Sequence, residues 1–188
     1  MPTIGLIVEG EWDVEVLSRL TGRLNVGAVD IRPRICRGPV RGRYFSLLRE
    51  LSFTSQPDRV VVVSDAHGRD YRELADDLRR EISNQTFRFP VHFVVVVQEL
   101  EALLLADPRA IETVCARRGT PLGSLGNLTD TPENIADPKV HLERLLWQQA
   151  KSTYTKALAG EIAAEADLSA LANWCPSFRR LREAVSLR

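Results

Sequence analysis

Three short apolar runs, each ending in an acidic residue, constrain this chain more than any other feature. Thr3 to Val8 runs into Glu9-Gly10, Arg59 to Ser64 (RVVVVS) runs into Asp65, and Val91 to Val97 runs into Gln98-Glu99-Leu100-Glu101. Runs of this length, dense in Val and Ile and without polar alternation, read as strands buried on both faces. Between them lie segments with helical spacing. Val14, Val16, Leu17, Leu20 and Leu24 recur through Glu11 to Leu24, and Phe45, Leu47, Leu48 and Leu51 through Tyr44 to Phe53. Leu74, Leu78 and Ile82 follow at i, i+4, i+8 through Tyr71 to Ile82. A fourth strand, Val29 to Ile35, alternates and carries Pro33, which places it at a sheet edge. Strand and helix in alternation predict an α/β fold with a mostly parallel four-stranded sheet flanked by helices.

No strand signal follows Val97. Asp107-Pro108 and Asp137-Pro138 each read as an N-cap with Pro at the first helical position. Gly119 to Pro132 reads as a long polar loop, and Trp147 and Trp174 as helix core. The expected division is an α/β core over residues 1–107 and a helical C-terminal extension, 108–188, packed on it.

Bulk properties narrow the functional classes. The chain has 188 residues, 44% hydrophobic and 27% charged, which suffices for a full core. The 25 basic and 25 acidic residues cancel, which excludes a broadly basic nucleic-acid coat but leaves room for a local patch. No apolar run reaches the ~20 residues of a membrane span, and Met1 to Glu9 has no basic leader segment. Cys36, Cys115 and Cys175 are isolated, so neither a zinc ribbon nor a disulfide framework is expected. A reducing cytoplasm is the expected location.

In a parallel sheet the strand ends share one edge, and ligands bind there. Glu9, Asp65, and Glu99 with Glu101 are therefore expected to converge. Like charges so placed call for a cation, and hard oxygen ligands suit Mg²⁺ or Mn²⁺. Single acids at strand ends are commonly helix caps, and the force of the pattern lies in three ends of one sheet. Glu99 and Glu101 face the same way only if the chain is extended there. In a helix they diverge by about 200°, and Glu101 is then preferred as the inward one. Asp13, one turn into the first helix, and Asp70 are candidates to support the ligands from behind. A metal ion would stabilise the fold.

Two motifs resemble a known family. Ile4-Gly5-Leu6-Ile7-Val8-Glu9-Gly10-Glu11-Trp12-Asp13 resembles the first Toprim motif, and Val60 to His67 looks like the second, which ends in Asp-x-Asp. Topoisomerases, primases and nucleases of the overcoming-lysogenization-defect group share that core. The segments Gln98 to Asp107, Pro132 to Lys139, Tyr154-Thr155-Lys156 and Cys175 to Phe178 are similar to a family of small bacterial Toprim-like proteins classed as a domain of unknown function. The resemblance implies a divalent-metal-dependent nuclease or related phosphoryl-transfer enzyme acting on nucleic acid, DNA or RNA. It also implies an ATPase partner protein, as in mobile or defence loci. The alternative is a non-catalytic module that docks a partner.

In that reading Glu9, Asp65 and His67 hold one ion, Glu99 and Glu101 hold or complete a second, and Glu9, Asp65 and Lys156 are catalytic. Lys139 rivals Lys156 as the group that meets phosphate charge. His67 departs from the motif, which has a second carboxylate there. Imidazole is a poor Mg²⁺ ligand, so His67 is expected to shift the preference toward Mn²⁺. Arg32, Arg34, Arg37, Arg41 and Arg43, with Gly38 and Gly42 between them, form a basic stretch free of acids. Arg37, Arg41 and Arg43 are its candidate nucleic-acid contacts.

Overall fold

The computed structural model describes residues 1–25 and 28–186. Strands β1 (Thr3–Val8), β2 (Asp30–Ile35), β3 (Arg59–Asp65) and β4 (Val91–Val96) form one sheet in the order β2-β1-β3-β4. Every pairing is parallel. Helices α1 (Glu11–Leu24), α2 (Tyr44–Thr54) and α3 (Tyr71–Glu81) make the crossovers. After β4 come α4 (Glu101–Leu105), α5 (Pro108–Arg117), a 3-10 turn (Pro132–Asn134), α6 (Pro138–Ala150), α7 (Lys156–Glu165), α8 (Leu168–Trp174) and α9 (Pro176–Val185).

The strand runs are continuously apolar because both faces of the sheet are covered. On one face Ile4, Leu6, Val8, Val61, Val63, Val94 and Val96 join a core with α1 and the helices from α4 onward. On the other, Ile7, Val60, Val62 and Val95 pack with Tyr44, Leu48 and Leu51 of α2 and Leu74 and Leu78 of α3. This is the period-2 alternation of a strand with both sides buried. β2 is an edge strand, and its Pro33 lies exposed, where a missing N–H costs nothing.

The C-terminal helices are bound to the sheet by named contacts. The Arg23 guanidinium donates to the carbonyls of Ala163 (2.9 Å) and Ala166 (2.6 Å). α1 and α7 approach closely at Gly160, where a Cβ would run into the Glu15 side chain. The buried Glu133 carboxylate accepts from the Ser177 N–H (2.8 Å), and the Ser177 hydroxyl accepts from the Val97 N–H at the end of β4 (3.0 Å). Trp174 is half-buried against the core, but Trp147 is 56% exposed, contrary to its expected place in a helix core. The buried line of α6 is Pro138, Leu142 and Leu146, at i, i+4, i+8. Trp147 is one residue past that line, about 100° around the helix, with the Lys151 ammonium 5.7 Å from its ring centroid. Among the described residues no helix is long and apolar enough to cross a membrane.

Candidate functional site: an acidic cluster at the carboxyl edge of the sheet

β1 and β3 are neighbours and run the same way, so Glu9 and Asp65 emerge side by side. Glu9 Oε1 accepts from the Ser64 hydroxyl (2.8 Å) and from the Asp65 N–H (3.4 Å). The turn into α1 adds a third acid. Asp13 Oδ2 accepts from the N–H groups of Glu9 (3.1 Å) and Gly10 (2.9 Å), closing the first turn of the helix. The fourth comes from beyond β4. α4 starts at Glu101, whose carboxylate is buried and accepts from the Tyr154 hydroxyl (3.3 Å). Burial and the nearby Glu101 carboxylate hold the Tyr154 phenol well above its ordinary pKa, so it stays a donor.

The electrostatics follow from this convergence. Burial first, then the charges of Asp13, Glu9 and Glu101, push Asp65 well above the usual carboxylate range, against a hydrogen bond from the Leu100 N–H. Asp13 is raised by burial and by Glu9, and Glu101 by burial and by Glu99 and Asp13. Lys139 opposes the rise at both Asp13 and Glu101. Four carboxylates thus press on one another with incomplete compensation.

Glu99 acts on Glu101 by its charge, but its carboxylate is engaged elsewhere. Because α4 has begun at Glu101, the two glutamates diverge. Glu99 Oε2 accepts from the Lys139 N–H in the first turn of α6 (3.0 Å), and Glu99 Oε1 stands 3.9 Å from His67 Nδ1. His67 is exposed, with a positive φ of 47°, uncommon for a non-glycine residue. Its N–H donates to the Gln98 carbonyl (3.0 Å), which ties the loops after β3 and β4 together. Asp70 is exposed and caps α3, accepting from the N–H groups of Arg72 (2.7 Å) and Glu73 (3.1 Å).

The basic candidates are placed differently from one another. Lys156 is exposed and pairs with Glu11 at 2.7 Å. Lys139 reaches over the Trp12 ring, 5.0 Å from its centroid. Arg41 is engaged by Asp77 (3.3 Å) and Glu81 (3.4 Å), and Arg43 donates to the carbonyls of Cys36 (3.2 Å) and Arg37 (2.6 Å). Arg32 pairs with Asp30 (2.6 Å), and Arg34 with Glu50 (2.8 Å). Arg37 is exposed, and its charge acts on Glu11. The two residues that sequence spacing did not bring to the site are Ser64 and Tyr154. Ser64 directly precedes Asp65, but nothing in its spacing says that its hydroxyl turns to Glu9. Tyr154 lies 53 positions from Glu101 and meets it only through packing.

The cluster's donors are carboxylate oxygens, the ligands a hard dication takes. Their spacing does not make a finished cage: among the described residues, no three Asp, Glu, His or Cys side chains stand close enough together to hold an ion. In kind the residues fit Mg²⁺ or Mn²⁺, and in position at least one side chain must turn to complete the set.

Fold and site define an α/β protein with an all-parallel four-stranded sheet and a cluster of carboxylates at its carboxyl edge. The chain belongs to the family described as Domain of unknown function (DUF4276), whose model matches residues 14–186. No curated protein matches it. Among solved structures, it is similar to the C-terminal region of the Burkholderia pseudomallei OLD protein. The two share 16% identity over 97% of this chain and 98% of that one, with a TM-score of 0.44.

Proposed function

We propose that the acidic cluster binds Mg²⁺ or Mn²⁺ and that the protein is a metal-dependent nuclease or related phosphoryl-transfer enzyme acting on DNA or RNA. The observation that carries this reading is the convergence of Glu9, Asp13, Asp65 and Glu101 on one edge of the sheet, with Asp65 raised by burial first and then by the other three. Like charges gathered in a part-buried cluster cost stability unless a cation relieves them. The Toprim-like sequence motifs at Glu9 and Asp65 supply the reaction class.

In this proposal Glu9, Asp65 and Glu101 hold the ion, with Asp13 keeping the Glu9 turn in place. A bound dication neutralises phosphate charge and lowers the pKa of water. Ser64 and Tyr154 orient Glu9 and Glu101 through the hydrogen bonds already described. His67 and Glu99, facing each other at 3.9 Å beside the cluster, would meet the substrate or a second ion. Arg37, exposed beside Glu11, is a better candidate to meet a phosphate backbone than the ion-paired Arg41. Lys156 is held outward by Glu11, and Lys139 inward over Trp12, so Lys139 is the better placed of the two rivals. An ATPase encoded beside this protein is the partner this reading calls for.

One observation favours a second reading, a non-catalytic module that docks a partner through this edge: the absence of a ready three-ligand cage among the described residues. A cleavage assay separates the two. Wild type and Glu9→Ala are incubated with single- and double-stranded DNA and RNA in Mg²⁺ and in Mn²⁺. Cleavage that requires metal and falls at least 100-fold in Glu9→Ala supports the enzyme. No cleavage of any substrate in either metal moves the binding module to first place.

A further inference from the structure

β4 is the other edge of the sheet, and part of that edge is left open. The Val60 N–H donates to the Pro90 carbonyl and the Ala66 N–H to the Val96 carbonyl, which sets the phase of pairing between β3 and β4. In a strand the N–H and C=O of one residue point to the same side, and the side alternates along the chain. The even-numbered residues from Pro90 to Val96 therefore face β3, and Val91, Phe93, Val95 and Val97 turn their backbone groups outward. α9 covers the far end of this row. The Val97 N–H donates to the Ser177 hydroxyl, and the Val95 carbonyl accepts from the Arg180 guanidinium, both at 3.0 Å. Among the described residues nothing bonds to the Val91 carbonyl, the Phe93 N–H and carbonyl, or the Val95 N–H. This open row is the floor of a groove. Cavities of about 350 and 420 Å³ lie along it and share Arg79, Phe93 and Arg180, with α3 as one wall and α9 as the other. Charge on the walls is uneven. Arg79 is paired with Asp76 at 2.8 Å. Arg72 and Arg180 have no carboxylate partner among the described residues. They lie against Tyr71, their guanidinium carbons 5.4 and 4.5 Å from its ring centroid, and the buried Arg180 Nε makes no hydrogen bond. The second acid of the walls, Glu183, lines only the cavity that reaches Val91.

We infer that this groove is a docking site for an extended acidic segment of a partner protein, which adds to the sheet as a fifth strand beside β4. The inference is independent of the metal-binding reading and of the carboxylates at the other end of the strands. An added strand is held by main-chain hydrogen bonds, and the open row supplies donors and acceptors at strand spacing. The stretch from Val91 to Val95 takes a segment of about five residues. Side chains of that segment alternate between the two walls. Those on the α3 side meet Arg72, Ala75 and Phe93, and those on the α9 side meet Arg180 and Ala184. Carboxylates there give Arg72 and Arg180 the partners they lack, as charge-assisted hydrogen bonds to guanidinium. A nucleic-acid strand would use the arginines but leave the row of backbone groups unpaired. A second copy of this chain would bring the same arginines to the same edge, where like charges repel. Exposed edges are commonly blunted by charge or by a covering element. Here the cover given by Ser177 and Arg180 stops at Val95, and the rest of the row stays available.

The test uses the full chain. The probes are a short fluorescent peptide of alternating glutamate and valine, its lysine–valine counterpart, and the acidic peptide N-methylated at every second residue in either phase. Binding is followed by anisotropy for wild type, Arg72→Glu, Val91→Pro and Arg144→Glu, with each fold checked by thermal melting. Arg72 is exposed on α3, and the Val91 N–H faces away from β3, so neither change removes a bond within the sheet. Arg144, exposed on α6, controls for net charge. The expected result is binding of the acidic peptide, about tenfold weaker in Arg72→Glu and in Val91→Pro and unchanged in Arg144→Glu. N-methylation in one phase should abolish binding and in the other leave it, because an added strand turns only alternate N–H groups to its neighbour. Arg72→Glu should gain affinity for the lysine peptide. Equal loss in Arg144→Glu, or no difference between the two phases, would mean unspecific charge attraction and overturn the added strand. Failure of the acidic peptide to bind would overturn it as well, and single-stranded DNA bound by wild type but not by Arg72→Glu would then assign the groove to nucleic acid. A dimer in sedimentation that Val91→Pro dissolves would assign the edge to a second copy instead.

Discussion

Asp65 sits where burial and three other carboxylates act on it together, and its protonation is therefore tied to the stability of the metal-free fold. Its folded pKa lies well above its ordinary value of 3.8. The stabilising effect of that shift is fully present below about pH 4 and is lost as pH rises through the raised pKa. Asparagine keeps the shape without the charge. Asp65→Asn is expected to match wild type in stability near pH 4. It should exceed wild type by about 1 kcal/mol at pH 8, or roughly 2–4 °C in Tm for a chain of this size. Melts at pH 4, 6 and 8 in the presence of a chelator check this. A difference that shrinks as pH rises would mean that Asp65 is well compensated by groups other than a metal. The same variant should lose the Mn²⁺-dependent rise in Tm that a relieved acidic cluster gives wild type.

The two Asp-Pro pairs show what is and is not legible at the level of an element. Asp107-Pro108 and Asp137-Pro138 look alike in sequence, and both do start helices, α5 and α6. Only Asp107 caps with its side chain. It is buried, and Oδ1 accepts from the N–H groups of Arg109 (3.1 Å) and Ala110 (3.3 Å). Its other oxygen accepts from the Asp167 N–H (2.7 Å), so it also anchors the start of α8. Asp137 is exposed and makes no side-chain cap. Asp107→Ala is expected to cost about 2 kcal/mol, lowering Tm by roughly 4–8 °C, whereas Asp137→Ala should stay within about 0.5 kcal/mol. Thermal melting of both variants decides it, and equal effects would refute the distinction. The strands were legible because burial on both faces leaves an unmistakable apolar run, and β2 because Pro33 is tolerated only at an edge. The gathering of Glu9, Asp65 and Glu101 was legible because parallel strands share a carboxyl edge. What the sequence leaves out is partnership across space. The arginines from Arg32 to Arg43 look free, yet Asp30, Glu50, Asp77 and Glu81 engage three of them, and carbonyls engage Arg43. Trp147 looks like core only because residue type outweighs angular position in a helix with apolar residues on several sides.

At the scale of the whole molecule, the boundary read near residue 107 does not divide the core. The face of the sheet that carries Leu6, Val8, Val61 and Val96 shares one continuous apolar cluster with Val114 of α5, Leu142 and Leu146 of α6, Leu158 and Ile162 of α7, and Phe178 and Leu181 of α9. α1 packs on α7 at Gly160, and β4 is tied to α9 through Ser177 and through the Arg180 guanidinium, which donates to the Val95 carbonyl (3.0 Å). The cluster is divided in the same way. Glu9, Asp13, Asp65 and Glu101 come from the first part of the chain, and Tyr154 and Lys139 from the second. We therefore propose that residues 1–107 and 108–188 are one folding unit. A chain ending at Asp107 would keep α1 and α4 on that face but expose the leucines and valines that α5, α6, α7 and α9 cover, at about 25 cal/mol for each Å² left in water, against the few kcal/mol by which domains are stable. It is expected to show no cooperative thermal transition and to aggregate or bind a hydrophobic dye. Co-expression with residues 108–188 should restore a single transition, because the missing half of the core returns with the second chain. A sharp, reversible melt from residues 1–107 alone would show that the sheet is closed without the later helices, and the shared cluster would then be an interface between two domains.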